Sequence, residues 1–272
     1  MRSGRSRNGR LRTCSGDAGS DVGAGGSPSW HRYRQTAAAR AHAASLATLR
    51  LCSFLMPLVV GCGHGRMVPA AADGPSSESR KPALGAQDGV WITAYAEDWH
   101  AAPNNLSDWV TPIRVRLANH SGTAIRVLYQ DFALIGQRGR AYQPLPVVPL
   151  DRGDGPTPGG RGLEPAFQTV GFFVAPRYRD VYPSLHPWSA PLPRDESFYE
   201  HQLGRWSRGL PTQEMKAMAL PEGVLLEEGE VAGFLYFENA TAAEKQLLFV
   251  ADIAEGRRAA PLVSIKIPFR VE

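Results

Sequence analysis

Cysteine is the residue type whose position suggests the most specific chemistry in this chain. The three cysteines are Cys14, Cys52 and Cys62. Cys62 directly follows Gly61, at the end of an apolar segment (51–60) that comes after the arginine-rich residues 1–50. A basic segment, a short apolar segment and a small residue before a cleavage point together form a secretory signal. The pattern therefore predicts an export signal that ends at Gly61.

The apolar segment is too short for a permanent membrane span. It has about ten residues, whereas a membrane-spanning helix needs about 20. A buried core strand is the alternative, but basic residues precede the segment and residues 63–89, which are rich in Ser, Pro and Gly, follow it. These flanking residues offer little apolar surface against which a core strand could pack, so they favour the export signal.

The four residues Val59-Val60-Gly61-Cys62 resemble the lipobox of bacterial lipoproteins. In that family the cysteine thiol is diacylated and the preceding peptide is removed. The resemblance therefore implies that Cys62 becomes the N-terminus and binds the lipid bilayer through its acyl groups. The next residue is Gly63 rather than aspartate, which by the same resemblance implies an outer-membrane anchor, with the protein facing the periplasm.

Residues 1–61 are predicted to be a disordered basic extension followed by the lipoprotein signal peptide, because their composition cannot bury a core. The length of this extension favours a translation start near residue 40, and a real disordered basic extension is the alternative. Nine arginines and two aspartates give residues 1–50 a charge of +7, so the rest of the chain carries −3 when the net charge is +4. The processed protein is thus mildly acidic, which argues against a nucleic-acid partner. Its remaining cysteine is the acylated one, which excludes thiol catalysis and cysteine-ligated metals.

The rest of the chain divides by composition into a tether and a β-rich domain. Residues 62–88 are rich in Pro, Ser and Gly and are predicted to be a flexible tether. Beyond them, Ile113, Val115 and Leu117 alternate with polar residues, as in a half-buried strand. Short strands separated by turn residues favour an antiparallel sandwich. They are predicted at 90–95, 112–117, 125–129, 132–135, 169–174, 231–237, 246–251 and 262–269.

Two stretches resemble an immunoglobulin-like domain of bacterial exported lipoproteins. One consists of Arg114 to Gly122, Ile125-Arg126-Val127 and Asp131-Phe132-Ala133-Leu134, and the other covers 226–237 and the ending Ile267-Pro268-Phe269. The resemblance implies a mainly β fold, an antiparallel immunoglobulin-like β-sandwich over residues 89–272. It leaves out residues 144–220, which are therefore interpreted as an insertion.

The predicted insertion at 144–220 differs from the sandwich in composition. It is rich in proline, which disfavours central strands. Two helices are predicted within it, at 195–206 and 212–220, with Asp195 and Thr212 as candidate N-caps. The insertion is thus expected to be partly helical.

Candidate chemistry beyond Cys62 is sparse in the sequence. There is no Gly-x-Ser-x-Gly nucleophile motif and no pair of histidines at metal-ligand spacing. No catalytic residue, metal or cofactor is therefore predicted, and a non-enzymatic role in binding or envelope assembly is favoured over an enzyme.

Aromatic and arginine side chains are the predicted partner-binding residues, since Trp, Tyr and Arg are enriched at interaction hot spots. An envelope protein is the predicted partner. The candidates are Trp99, Trp109, Arg177, Tyr178, Trp188 and Trp206. Two alternatives stay open: these side chains pack the insertion onto the sheet and cover the open end of the sandwich, or the Trp99 loop and the insertion enclose the site of a periplasmic hydrolase or carbohydrate-binding protein.

Overall fold

The computed structural model describes residues 65–70, 82–96, 98–148 and 162–272. The predicted extension, the export signal and Cys62 lie outside these residues. Within them the chain forms eleven β-strands and two α-helices. The strands are β1 (Met67–Pro69), β2 (Ala83–Gln87), β3 (Val90–Ala96), β4 (Val110–Asn119), β5 (Ile125–Val127), β6 (Phe132–Gly136), β7 (Ala141–Tyr142), β8 (Val170–Val174), β9 (Gly223–Glu238), β10 (Gln246–Glu255) and β11 (Pro261–Val271). The helices are α1 (Glu196–Leu203) and α2 (Gln213–Met218).

The strands form one antiparallel sheet that is nearly closed as a barrel. Along the main path the order is β1-β11-β10-β5-β9-β4-β3-β2, while β6 and β7 extend from β10, and β8 pairs with β9. The strand β2 also lies against β11, because a Cβ atom added to Gly85 would lie 2.9 Å from Cγ1 of Ile267. The predicted mainly β, antiparallel architecture is confirmed.

Alternating side chains of the strands form the core. Ile113, Val115 and Leu117 of β4 are fully buried, as the sequence predicts. The rings of Phe237 in β9 and Phe249 in β10 meet edge to face with their centroids 6.4 Å apart, although the two strands are not neighbours in the sheet. The core thus joins parts of the sheet that face each other, and burial of apolar surface is the main force that holds them together.

The longest strand, β9, connects two parts of the sheet. Its first residues pair with β5 and β8, and its residues from Gly229 onwards pair with β4. The sequence predicts a strand only at 231–237, because the acidic residues Glu227 and Glu228 interrupt the apolar pattern. Glu228 has a φ of 58°, so the chain turns locally and then continues as a strand. Pairing with β5 and β8, which the local pattern does not reveal, extends the strand on its N-terminal side.

The predicted tether at 62–88 is wrong for two segments that belong to the sheet. Met67 in β1 lies opposite Val271 in β11, and Ala83 in β2 lies opposite Ala94 in β3. Their surroundings have the composition of a linker, but short edge strands need few apolar residues because the neighbouring strand supplies the hydrogen-bond partners. The folded domain therefore begins well before the predicted residue 89.

Residues 144–220 contribute a strand and both helices, at the predicted places. The Asp195 carboxylate accepts a hydrogen bond from the backbone N–H of Ser197 (3.0 Å), and the Thr212 hydroxyl accepts one from that of Met215 (3.2 Å). These bonds satisfy donors that the first turn of a helix leaves open, so both predicted N-caps are confirmed. Because β8 pairs with β9, this part of the chain is built into the sheet.

Candidate functional site

The structure brings the predicted residues Arg177 and Tyr178 together around Glu222, whose side chain is 1% exposed. One carboxylate oxygen, Oε2, accepts hydrogen bonds from Arg177 Nη2 (3.0 Å) and from the Tyr178 hydroxyl. The other, Oε1, accepts from the backbone N–H of Tyr129 (2.7 Å) and from the Tyr199 hydroxyl. Four donors therefore surround one buried carboxylate. These five residues are called the Glu222 cluster.

The five members of the Glu222 cluster come from four separate segments of the chain. Tyr129 begins a short 3-10 turn that follows β5, and Tyr199 lies in α1. Arg177 and Tyr178 belong to a 3-10 turn after β8 that starts with proline, a residue whose fixed φ suits the first position of a helix. Glu222 lies directly before β9, so the cluster ties three separate segments to the start of the longest strand.

Electrostatics keep the donors of the Glu222 cluster in their hydrogen-bonding form. Burial raises the pKa of the Tyr178 hydroxyl well above its ordinary value, and the negative charge of Glu222 raises it further. Burial and Glu222 raise the pKa of the Tyr199 hydroxyl in the same way. Both phenols therefore stay protonated and donate to the carboxylate at any physiological pH. The cluster is a sealed charge network that holds segments in place, because the carboxylate is closed to solvent and substrate.

A second buried carboxylate lies near the cluster. Asp131 accepts two hydrogen bonds from Arg126, with distances of 3.1 Å from Nε and 2.9 Å from Nη2. Burial raises the pKa of the Asp131 carboxyl from 3.8 to about 6, and the attraction of Arg126 offsets this only in part. The charged form of Asp131 is therefore destabilised in the folded protein relative to the unfolded chain.

The raised pKa of Asp131 predicts a pH dependence of stability. The folded protein holds the Asp131 proton more tightly than the unfolded chain, so this contribution favours folding fully below pH 4 and is lost as the pH rises through about 6. The difference between 3.8 and about 6 corresponds to about 3 kcal/mol of free energy. We expect the wild type to lose about that much free energy of unfolding relative to Asp131→Asn between pH 4 and pH 7, measured by urea denaturation. Parallel pH profiles of the two proteins would contradict the assignment.

Two of the predicted tryptophans cover the outer face of β9. The Trp99 indole donates to the carbonyl of Pro103 (3.0 Å), and its ring lies 5.9 Å from the ring of Tyr236. The Trp206 indole donates to the carbonyl of Pro146 (2.7 Å), and its ring lies 6.0 Å from the same tyrosine. Both side chains therefore have partners within the domain, and packing onto the sheet accounts for their positions.

The other two predicted tryptophans differ in exposure. Trp188 is half-buried, and its ring lies 5.9 Å from that of Phe173 in β8. Trp109, directly before β4, is 53% exposed. Of the six predicted partner-binding residues, Trp109 is the one whose side chain is exposed, and the other five are buried or half-buried. The set is therefore divided between the Glu222 cluster, the cover of the sheet and a single exposed indole.

A cavity of about 260 Å³ lies beside Trp99, at the end of the sheet where β1 and β4 begin. Its wall is apolar at Met67, Val110 and Pro112 and polar at Ser107, Thr111 and Thr241, while Arg66 supplies a positive charge. Most sites for drug-sized ligands are larger, at about 300–1,000 Å³. The cavity offers hydroxyl groups and an apolar wall, an arrangement suited to binding rather than to acid–base chemistry.

In the part of the chain that the structure describes, histidine and carboxylate side chains form no cluster that could hold a metal ion. There, no three His, Cys, Asp or Glu residues lie close enough to hold a metal ion. His120 Nδ1 lies 2.8 Å from Glu228 Oε2, but both side chains are exposed. Nor does any helix of these residues have the length and apolarity needed to cross a membrane.

Comparison with protein families, curated proteins and solved structures finds no match for this chain. Its function has to be argued from its own residues. Glu222, Tyr129 and Tyr199 cannot be recognised as members of one site from the sequence, because they are far apart in the chain and none belongs to a motif. The one feature of the sequence that points to Glu222 is its position between Pro221 and a buried strand. That position does not show which residues the glutamate contacts.

Proposed function

We propose that this chain is a lipid-anchored protein of the bacterial cell envelope, with a non-enzymatic role in binding or envelope assembly. The observation that carries the proposal is Val59-Val60-Gly61-Cys62, a lipobox-like sequence at the end of a short apolar segment preceded by arginines. Acylated Cys62 would bind the lipid bilayer at the outer membrane, and the domain would face the periplasm.

The start of the folded domain supports this proposal. The strand β1 begins at Met67, five residues after Cys62, and five residues span at most about 17 Å. An acyl anchor on Cys62 would therefore hold the domain directly at the bilayer rather than at the end of a long tether. The residues between Cys62 and β1 are also enough to connect an acyl group in the bilayer to a strand that lies outside it.

We also propose that the sheet is an immunoglobulin-like sandwich with residues 144–220 inserted into it. Contacts across the core between β9 and β10, such as Phe237 with Phe249, are what two facing layers require. The inserted residues Phe167 and Trp206 pack against Phe234 and Tyr236 on the outer face of β9. In this proposal the insertion serves as a cover for one layer.

A binding role is favoured over the hydrolase or carbohydrate-binding alternative by the contacts of Trp99. Its indole packs edge-on against Phe234 with centroids 5.2 Å apart and donates to the carbonyl of Pro103, so contacts within the domain account for its position. Glu222, the most buried acid near the insertion, has all its contacts within the protein. A catalytic carboxylate has to reach its substrate, and this one is enclosed.

The lipid anchor is tested by Cys62→Ala. We expect this variant to lose labelling by radioactive fatty acid completely and to move from the membrane fraction to the soluble periplasmic fraction, because the acylated thiol is gone. Cys52→Ala is the matched control: it removes a cysteine of the apolar segment and should leave labelling and membrane association intact. Unchanged labelling of Cys62→Ala would refute the lipid anchor.

The binding role is tested by crosslinking the anchored protein in intact cells and purifying it from the membrane fraction. We expect one envelope protein to be enriched with the wild type and depleted with Cys62→Ala, since release from the membrane separates the partners. Equal recovery of background proteins from both strains would count against a binding role while leaving the anchor itself untouched.

A further inference from the structure

One end of the sheet gathers the residues that lie nearest to Cys62 in the chain. A Cβ atom added to Gly65 would lie 2.9 Å from the carbonyl oxygen of Thr241. The backbone N–H of Ala240 donates to the Thr111 hydroxyl (3.0 Å), and Asn239 Nδ2 donates to the carbonyl of Asp108 (3.1 Å). The start of β1, the start of β4 and the chain after β9 therefore form one continuous surface, called the anchor end.

Trp109 is the large exposed side chain at the anchor end, with 53% of its surface accessible. A 3-10 turn of Leu106–Asp108 precedes it, and its backbone N–H donates to the carbonyl of Leu106 (3.0 Å), so its position on the surface is fixed. An indole has an apolar body and one N–H donor. That combination is favoured at membrane–water interfaces, where tryptophan is enriched.

We propose that the anchor end docks onto the lipid bilayer and that the Trp109 indole enters the headgroup region. This inference rests on the proposed acylation of Cys62. Gly65 is three residues after Cys62, a distance of at most about 10 Å, so a lipid anchor brings this end of the sheet to the membrane. Arg66 and Asp108 give the anchor end charges of both signs, so docking depends on the indole and does not require anionic lipid.

Trp91 provides a matched control within the same domain. It is 49% exposed, close to the exposed fraction of Trp109. It lies in β3 opposite Ala118 of β4, eight residues from Val110, which corresponds to about 26 Å along the strand. A membrane that contacts the anchor end should therefore not reach Trp91.

The test uses the lipidated protein reconstituted in phosphatidylcholine vesicles that carry bromine near the headgroup end of their acyl chains, since bromine quenches indole fluorescence at short range. Flotation on a density gradient first establishes that the protein is membrane-bound. The quantity measured is the fluorescence intensity lost in brominated vesicles relative to unbrominated ones. We expect Trp109→Phe to lower this lost intensity at least twofold. Trp91→Phe should leave it unchanged.

The outcomes separate this inference from the proposed function on which it rests. Wild-type protein that fails to float with the vesicles refutes the lipid anchor, and the docking proposal falls with it. If the protein floats but quenching is the same in Trp109→Phe as in the wild type, the domain is anchored without docking in this orientation. The same conclusion follows if Trp91→Phe lowers quenching as much as Trp109→Phe does. Either result overturns the docking inference and leaves the lipid anchor standing. Folding of both variants is checked by urea denaturation, in which each should resemble the wild type because neither indole is buried.

Discussion

Glu222→Ala is expected to lower the free energy of unfolding by about 3–5 kcal/mol, the usual cost of removing one partner from a buried ion pair. The substitution leaves the Arg177 guanidinium without its carboxylate. It also leaves the hydroxyls of Tyr178 and Tyr199 and the backbone N–H of Tyr129 without their acceptor. Each buried donor that loses its partner retains the cost of its desolvation. Urea denaturation followed by circular dichroism measures the loss.

The chain offers a matched control for Glu222→Ala. Glu230 also pairs with an arginine, Arg116, but the Arg116 side chain is 53% exposed and that of Glu230 is 35% exposed. Exposed ion pairs contribute at most about 1 kcal/mol because water screens them. We therefore expect Glu230→Ala to cost less than about 1 kcal/mol. Equal losses in the two variants would contradict the view that burial makes the Glu222 cluster important.

A second substitution identifies the origin of the loss. If the isolated charge of Arg177 causes most of it, Arg177→Met combined with Glu222→Ala should recover part of the stability, because the apolar side chain needs no carboxylate. Residues in one network couple by about 0.5–3 kcal/mol. A double variant less stable than Glu222→Ala would assign the cost to the tyrosine donors instead.

The strands of the domain could be predicted where the pattern that defines them is local. Ile113, Val115 and Leu117 alternate with arginines, and alternation with a period of two depends on neighbouring residues only. The same holds for Val263, Ile265 and Ile267 in β11, which are buried. Helix starts at Asp195 and Thr212 could be predicted for the same reason, because an N-cap acts on the next three residues.

Features that depend on distant partners could not be predicted. Met67 pairs with Val271 at the other end of the chain, and the composition around Met67 indicates only a linker. Glu222 owes its role to Tyr129, Arg177 and Tyr199, which reach it from separate segments. In such cases the residue type is compatible with several environments, and tertiary contacts decide among them.

The tryptophans show the same ambiguity within one residue type. Trp99 and Trp109 are ten positions apart and share the amphipathic side chain that suits interfaces. Yet Trp99 packs on Phe234, and Trp109 is exposed. The difference arises because the loop of Trp99 folds over the outer face of β9, whereas Trp109 follows a turn at the end of the sheet.

Gly223→Ala is expected to destabilise the protein by about 3 kcal/mol, at the upper end of the usual cost of overpacking a core. Gly223 lies between two strands, opposite Val174 of β8 and Val127 of β5. An added Cβ atom would overlap the backbone carbonyl of Phe173 and would lie 2.8 Å from Cζ of Phe172. A backbone obstacle cannot move as a side chain can, so β8 has to shift away from β9.

Gly204→Ala is the control for Gly223→Ala. Gly204 follows α1 with a φ of −71°, and the nearest atom to an added Cβ is the carbonyl oxygen of His201 at 3.8 Å. Alanine fits such a position and reduces the freedom of the unfolded chain, so we expect thermal and urea denaturation to show no loss of stability. A loss as large as that of Gly223→Ala would mean that steric overlap with β8 is not the cause.

The effect of Gly223→Ala should also spread to the Glu222 cluster. The backbone N–H of Ala175, directly after β8, donates to the carbonyl of Glu222 (2.8 Å), and the turn that carries Arg177 and Tyr178 follows at once. If β8 moves away from β9, these two donors move away from the Glu222 carboxylate. The losses caused by Gly223→Ala and Glu222→Ala should therefore add up to more than the loss of the double variant, because both substitutions release the same segment. Strict additivity would show that β8 and the cluster are held independently.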